Sequence, residues 1–206
     1  MRKQVCTAIC ALAVLALSVR AADAFKLDDE GYIRNWLKLG PIQLDDKAGS
    51  HDEDNQKDFF NKGVFVDAVK ATPAEKDKLK AGDKELAWTA VKADDAIVSF
   101  DEQDNTMNII KAYVIAEADV ADAAISIGSD DSSCWNVNGT EVVRAYAGRA
   151  AEKDQDKSKS FALKKGQNVL TAAVINGGGP TGACCRIMDK DGKPVKGLTI
   201  SLTPVK

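Results

Sequence analysis

ISIGSDDSSCWNVNGTEVVR, residues 125–144, is the stretch that decides the fold of this chain. Ile125 and Ile127 alternate with small polar residues, which is the period of a strand with one buried face. Asn138-Gly139 is the dipeptide most typical of a two-residue hairpin, because both central residues must accept a positive φ. The stretch therefore predicts a strand, a polar turn, a second strand, a tight turn and a third strand.

Short strands of the same kind follow one another along most of the remaining chain. More than ten are predicted at intervals of about 8 to 15 residues, as in antiparallel sandwiches and jelly rolls. They include residues 32–39, 64–66, 86–90, 96–100, 109–116, 160–163, 168–175, 183–188 and 198–202. The predicted fold class is all-β, an antiparallel β-sandwich or jelly roll.

One helix start interrupts this β pattern. Thr72 as N-cap, Pro73 at the first helical position and Glu75 three residues after the cap form a capping box. Gly82 would close the helix, so the sequence predicts one short helix near residues 73–80. The highly charged segment 45–57 has no apolar period and is predicted to be a loop.

The N-terminus has the three parts of a secretory signal. A cationic start precedes an apolar run of about 15 residues, which is too short for a comfortable membrane span. Ala22-Asp23-Ala24 then supplies the small residues that signal peptidase accepts, and Arg20 argues against a retained anchor. We therefore predict a signal peptide at 1–24 and a single domain at 25–206, exported to a secreted, periplasmic or cell-surface location. No other stretch is apolar enough to span a membrane.

The net charge and the length of the chain exclude some classes of binding partner. The 206-residue chain has a formal charge of −3, and removal of Arg2, Lys3, Arg20 and Asp23 leaves 25 basic against 30 acidic side chains, or −5. That mild, evenly spread acidity argues against nucleic acid or an anionic membrane surface as partner. The remaining chain of about 182 residues is long enough to bury a core without disulfides.

Three cysteines remain after processing, Cys134, Cys184 and Cys185. Adjacent residues on a strand point to opposite faces, so Cys184 and Cys185 should not pair with each other. A bridge from one of them to Cys134 stays open. A zinc site is not supported, because there is no CxxC spacing and the sole histidine, His51, lies in a polar loop.

Several short motifs, taken in order, resemble the galactose-binding-like jelly-roll modules of large exported bacterial proteins such as those of planctomycetes. They are residues 36–42 (WLKLGPI), Trp88, residues 112–114 (AYV), 128–131 (GSDD), 137–139 (VNG), 154–156 (DQD), 163–168 (LKKGQN) and 176–179 (NGGG). The resemblance implies a carbohydrate-binding module or an adhesive interaction domain. Two positions depart from the pattern, since Thr181 and Asn136 stand where the family usually has aromatic residues.

Asp130 and Asp131, followed by Ser132 and Ser133, form the densest group of hard oxygen ligands in the chain and could hold Ca²⁺. The pair is similar to the Asp-Asp pair of protective-antigen-type adhesins, in which calcium in turn holds sugar hydroxyls. The alternative is that one aspartate bonds backbone amides of its turn while the other faces solvent.

Three further residues are candidate ligand contacts. Trp135 lies beside the aspartate pair, although its alternation with Val137 points it inward; Asn138 and Arg149 complete the set. For Arg149 a structural ion pair with the acids is favoured over ligand contact. The glycine run 177–179 lacks the Lys-Ser/Thr of a phosphate loop and is predicted to be a flexible turn.

Catalysis is not indicated. His51 is the sole general base of the usual kind, and there is no nucleophile elbow. The sequence therefore predicts an exported, non-catalytic module that binds carbohydrate. The alternative is a structural or interaction subunit that binds another cell-surface protein. An exposed aromatic beside a groove would favour the first, and a broad apolar patch the second.

Overall fold

The computed structural model describes residues 24–205, so the predicted signal peptide lies outside the described residues. Within that range the chain forms fifteen β-strands, two α-helices and one 3₁₀ helix. The helices are the 3₁₀ helix Asp46–Ser50, α1 Glu53–Asn61 and α2 Val64–Lys70. The strands are β1 Phe25–Lys26, β2 Asn35–Gln43, β3 Lys78–Ala81, β4 Lys84–Ala87, β5 Thr89–Lys92, β6 Val98–Ser99, β7 Thr106–Ala116, β8 Val120–Asp130, β9 Ser132–Val137, β10 Thr140–Ala145, β11 Asp156–Lys157, β12 Phe161–Leu163, β13 Gly166–Asn176, β14 Gly182–Met188 and β15 Leu198–Ser201. None of the helices in this range has the length and apolar character needed to cross a bilayer.

Two antiparallel sheets face each other, which confirms the predicted all-β sandwich. The larger has the order β1-β15-β7-β13-β9-β10, with β2 pairing the first half of β7 and also β5. The smaller has the order β11-β8-β14-β6, and β12 pairs with β8 as well. Their facing side chains form the main core, where Trp36 and Trp135 meet edge to face with ring centres 6.2 Å apart.

The outer face of the larger sheet is covered as well. Helices α1 and α2 and the β3–β4 hairpin pack on it and form a second hydrophobic cluster around Phe60, Phe65 and Trp88. Strand β7 is consequently buried on both faces, which is why its sequence TMNIIKAYVIA is nearly continuous in apolar residues.

The helices lie where the sequence did not place them. The predicted helix at 73–80 is wrong, because residues 78–81 form β3 and Pro73 instead accepts a hydrogen bond from the Tyr113 hydroxyl. The predicted loop 45–57 and strand 64–66 are wrong too, since they contain the 3₁₀ helix, α1 and α2. Asp52 caps α1 by accepting from the Asn55 N–H, and Phe60 and Phe65 anchor the helices to the sheet. The burial of these two rings stabilises helices in a segment whose charged sequence had predicted a loop.

The three cysteines of the domain lie in three different hydrophobic clusters. All are free and buried: Cys185 lies in the main core, Cys134 under the helices, and Cys184 beside Tyr32 on the outside of the smaller sheet. Cys184 and Cys185 do face opposite ways, as expected. The bridge to Cys134 that the sequence left open is not formed.

The hairpin at the centre of the deciding stretch is confirmed. Asn138 and Gly139 have φ values of 50° and 79°, and they join β9 to β10. Positive φ at both positions is what the two-residue turn requires.

Candidate functional site

The candidate site is the corner at which β8 ends with Asp130 and β9 begins after Asp131. The peptide between the two aspartates is cis. Three other segments reach this corner: the β10–β11 connection, the glycine run between β13 and β14, and the turn between the 3₁₀ helix and α1. We call this place the Asp corner.

Asp131 fastens two of these segments together. Its Oδ1 accepts the backbone N–H of Arg149 at 3.0 Å, and its Oδ2 accepts that of Gly177 at 2.9 Å. The side chain is buried, so these two amides replace much of the water that a free carboxylate would bind. Asp131 therefore does what the alternative interpretation expected of one aspartate, although the amides belong to neighbouring loops and not to its own turn.

The His51 side chain packs next to Asp131 at the Asp corner. Its ring fits between Gly148 and Gly177, where an added Cβ would lie 2.7 Å from His51 Cδ2 and 2.6 Å from His51 Cε1, respectively. His51 Nδ1 lies 4.0 Å from Asp131 Oδ2 and is buried without a hydrogen-bond partner. His51 does lie in a polar connection, as the sequence predicted, but its contact with Asp131 was not predicted.

Asp130 is the free carboxylate of the pair. Its backbone carbonyl is held by the Thr181 hydroxyl at 2.6 Å, and its side chain is partly exposed. Desolvation and the adjacent charge of Asp131 raise the pKa of the Asp130 carboxyl to about 6. The Ala151 backbone N–H donates to this carboxyl, but within residues 24–205 no basic side chain forms an ion pair with it.

Arg149 has a structural role at the corner. Its Nε donates to the Ser129 carbonyl and its Nη2 to the Ser129 hydroxyl, each at 3.2 Å, and the guanidinium also pairs with Asp156. The Ser129 hydroxyl in turn accepts from Ser133, which accepts from Trp135 Nε1. This chain of hydrogen bonds ties the corner to the core. The expected structural ion pair of Arg149 is formed with Asp156, and not with Asp130 or Asp131.

The glycine run is tied down along its length. The N–H groups of Gly177, Gly178 and Gly179 donate to Asp131, Asn176 and Asp104, respectively. The run is a turn between β13 and β14, as predicted, and each of its three amides has a side-chain acceptor.

Of the predicted ligand contacts, only Arg149 reaches the Asp corner. Trp135 is fully buried against Trp36, so no ligand can reach its ring and we withdraw it as a contact. Asn138 lies at the far end of β9, where its side chain bonds Asn168 and the Val169 N–H. The structure thus separates the two turns that lie close together in the sequence.

Sequence reasoning missed His51 and Gly148. Only indirect signs of the contact between them are present in the sequence. His51 is the sole histidine and directly precedes the N-cap Asp52, and Gly148 lies in a connection between strands. Neither feature shows that the two residues touch, because the contact joins segments distant along the chain.

The residues of the corner meet part of what calcium needs. Ca²⁺ takes six to eight oxygen ligands. Asp130 supplies a partly exposed carboxylate, and each Asp131 oxygen keeps a lone pair beyond the amide it accepts. Among residues 24–205, however, no three His, Cys, Asp or Glu side chains converge as a metal-binding group. The donor chemistry fits a hard cation, and the shell would be completed by backbone carbonyls and by oxygens from a ligand.

No family model matches this sequence, and no curated protein matches it. The likeness to galactose-binding-like modules of planctomycete type therefore stays a prediction.

Several solved structures have a similar arrangement of strands. A PA14 domain of the antifreeze protein MpAFP has a TM-score of 0.42 at 12% identity, with 85% of this chain and 95% of that chain covered. A PA14 sugar-binding domain from an RTX adhesin has a TM-score of 0.38 at 12% identity, with 80% and 72% covered. A β-glucosidase from Kluyveromyces marxianus has a TM-score of 0.39 at 14% identity, with 56% of this chain but only 16% of that enzyme covered. At these low scores we draw no functional conclusion from them.

Proposed function

We propose that this chain is an exported, non-catalytic module that binds carbohydrate at the Asp corner through a calcium ion. The observation that carries the proposal is Asp130, whose partly exposed carboxyl lies next to Asp131 and has no basic partner within residues 24–205. A divalent cation would offset both the desolvation and the repulsion from Asp131 that raise the pKa of the Asp130 carboxyl. The names of the similar PA14 structures agree with the proposal, which does not rest on them.

Calcium also explains how a saccharide would be held without a stacking platform. The three tryptophans are at most 1% exposed, and the one large hydrophobic residue that is exposed among residues 24–205 is Val205. The tryptophans therefore offer no stacking surface, and the other aromatic residues of the described range are at most partly exposed. Sugar hydroxyls can instead complete the oxygen shell of a cation whose protein ligands are too few.

The interaction-subunit alternative required a broad apolar patch. The exposure of Val205 alone does not provide one within the described range, so no observation favours that alternative. Thiol catalysis is also disfavoured, because burial raises the pKa of Cys134 to about 12 and that of Cys184 to about 11.

The test is binding of the mature domain, residues 25–206, to an array of polysaccharides with calcium or with EDTA. We expect binding that calcium supports and EDTA abolishes, and that Asp130→Asn loses. Asp122→Asn is the matched control, because Asp122 is an exposed aspartate on the same strand. Silence of the whole array in calcium would contradict the proposal.

A further inference from the structure

A separate cleft lies on the face of the larger sheet that the helices cover, opposite the smaller sheet. The cleft between α2 and strands β9 and β10 has a volume of about 390 Å³, within the range of small-molecule sites. We call it the α2 cleft. It is separate from the Asp corner, which lies at the end of these strands where β9 begins.

One wall of the α2 cleft is apolar. Val66 and Val69 of α2 form it, backed by the buried rings of Phe60 and Phe65. The face of Phe60 is already occupied, because the Arg144 guanidinium carbon lies 5.4 Å from its ring centre. The apolar surface that remains is aliphatic and shallow, which suits the C–H groups of a small ring better than a large aromatic ligand.

The opposite wall mixes donors and acceptors that are not fully used. Asn136 is 7% exposed and donates to Cys134 Sγ at 3.8 Å, a weak acceptor, while its carbonyl oxygen accepts no hydrogen bond within residues 24–205. Arg144 donates to Glu141, Asn61 and the Tyr146 hydroxyl, yet its Nε is buried without a partner. The Asn136 carbonyl oxygen is not among the buried unpaired atoms and is therefore open to a donor from a ligand in the cleft, whereas the buried Nε of Arg144 is out of a ligand's reach.

The charges of the α2 cleft select among ligand classes. Arg144 is matched by Glu141, which leaves Lys70 at the rim as the single unmatched charge. A multiply charged anion would face Glu141, and a plain hydrocarbon would leave the Asn136 carbonyl oxygen unpaired. A neutral molecule with adjacent hydroxyls satisfies both walls, since each hydroxyl donates and accepts.

We infer that the α2 cleft is a second saccharide site, specific for a neutral sugar ring and independent of any cation. Asn136, Glu141 and Arg144 would contact the hydroxyls, and Val66 and Val69 the C–H face. The inference goes beyond the proposed calcium site and uses none of its residues.

The test is saturation-transfer NMR of the mature domain in EDTA with galactose, glucose, mannose and lactose as separate probes. We expect a saturable signal for at least one sugar that Val69→Trp, which fills the cleft, weakens by about tenfold or more. Asn136→Leu should weaken it too, without loss of the folded spectrum. Val64→Trp is the matched control, because Val64 lies on the same helix outside this cleft and should leave binding unchanged.

The measurements with and without calcium, and in the variants, distinguish binding at the α2 cleft from binding at the Asp corner. A signal in EDTA that persists in Asp130→Asn supports the α2 cleft whatever the fate of the calcium site. A signal that needs calcium and disappears in Asp130→Asn supports the Asp corner and overturns the cleft. Silence toward all four sugars in EDTA, or full binding by a folded Val69→Trp, also overturns the cleft.

Discussion

At the scale of single residues, the His51 ring packs closely between two glycines of the Asp corner. Gly148→Ala would place a methyl group 2.7 Å from the imidazole, and the three nearest atoms to that methyl all belong to His51. We predict that this substitution lowers the free energy of unfolding by about 1–3 kcal/mol, as overpacking does. Urea denaturation measures the change.

A second variant shows whether His51 is the cause. In a His51→Ala background the ring is absent, so Gly148→Ala should cost much less than it does in the natural chain. Equal costs in both backgrounds would mean that the ring is not what excludes a side chain at position 148.

Some residues of the Asp corner were predictable from the sequence and others were not. It chose Asp130 and Asp131 for their oxygens, and it named Arg149, because residue type and neighbours along the chain carried that information. It did not find His51, whose role depends on Gly148 and Gly177 meeting across the fold. It placed Trp135 in a ligand site although alternation with Val137 already pointed the ring inward. Contacts between distant loops leave no local trace in a single sequence.

At the scale of elements, Lys111 of β7 fastens helix α2 to the sheet. Its ammonium is fully buried and donates to the carbonyl oxygens of Ala68 and Ala71, each at 2.6 Å, at the end of α2. Desolvation lowers the pKa of Lys111 to about 8. The helix end gains partners for its last carbonyls at the cost of a buried charge.

This arrangement predicts a pH dependence of stability. Between pH 8 and the ordinary lysine pKa the unfolded chain holds more protons than the folded one, so the contribution of Lys111 to the free energy of unfolding increases with pH, by about 2–3 kcal/mol in all. Lys111→Met should lack that rise. Urea denaturation across pH 7–10.5 measures it as the difference between the two proteins, which cancels the titration of tyrosines and cysteines.

The control is Lys92→Met, which removes an exposed lysine from β5 of the same sheet. It should keep the pH dependence of the natural chain. A Lys111→Met curve parallel to that of the natural chain would show that the buried ammonium is not the titrating group.

Some secondary-structure elements could be predicted from the sequence and others could not. The Asn138-Gly139 hairpin and the alternating strands were readable because each depends on residues close in sequence. The capping-box pattern at Thr72–Glu75 predicted a helix, but Pro73 is buried and its carbonyl is held by Tyr113, so the segment is a connection. The real helix α1 looked like a charged loop, because what stabilises it is Phe60 packing against a distant sheet.

At the scale of the whole molecule, three separate hydrophobic clusters each hold one cysteine. We predict that the mature domain, folded in an oxidising buffer, shows no thiol reactive to Ellman's reagent and three reactive thiols per chain in guanidinium. Its melting temperature should not change with reductant, since no disulfide is present to reduce. Fewer than three thiols in guanidinium, or a melting temperature lowered by reductant, would reveal a bridge.

The whole fold also explains why the two proposed binding sites lie at the margins of the larger sheet. Both faces of the larger sheet are covered, one by the smaller sheet and one by the helices and hairpin, so its strands offer little free surface. Ligand contact is left to the strand ends and to gaps in the covering layer. The Asp corner is such an end, and the α2 cleft is such a gap.

The most direct test of the central claim is calorimetric titration of residues 25–206 with calcium chloride, comparing the natural chain with Asp130→Asn and Asp122→Asn. The account predicts a saturable heat in the natural chain and in Asp122→Asn, and its loss in Asp130→Asn while the thermal unfolding curve stays cooperative. No saturable heat in the natural chain, or equal heats in all three proteins, would contradict calcium binding at Asp130 and Asp131.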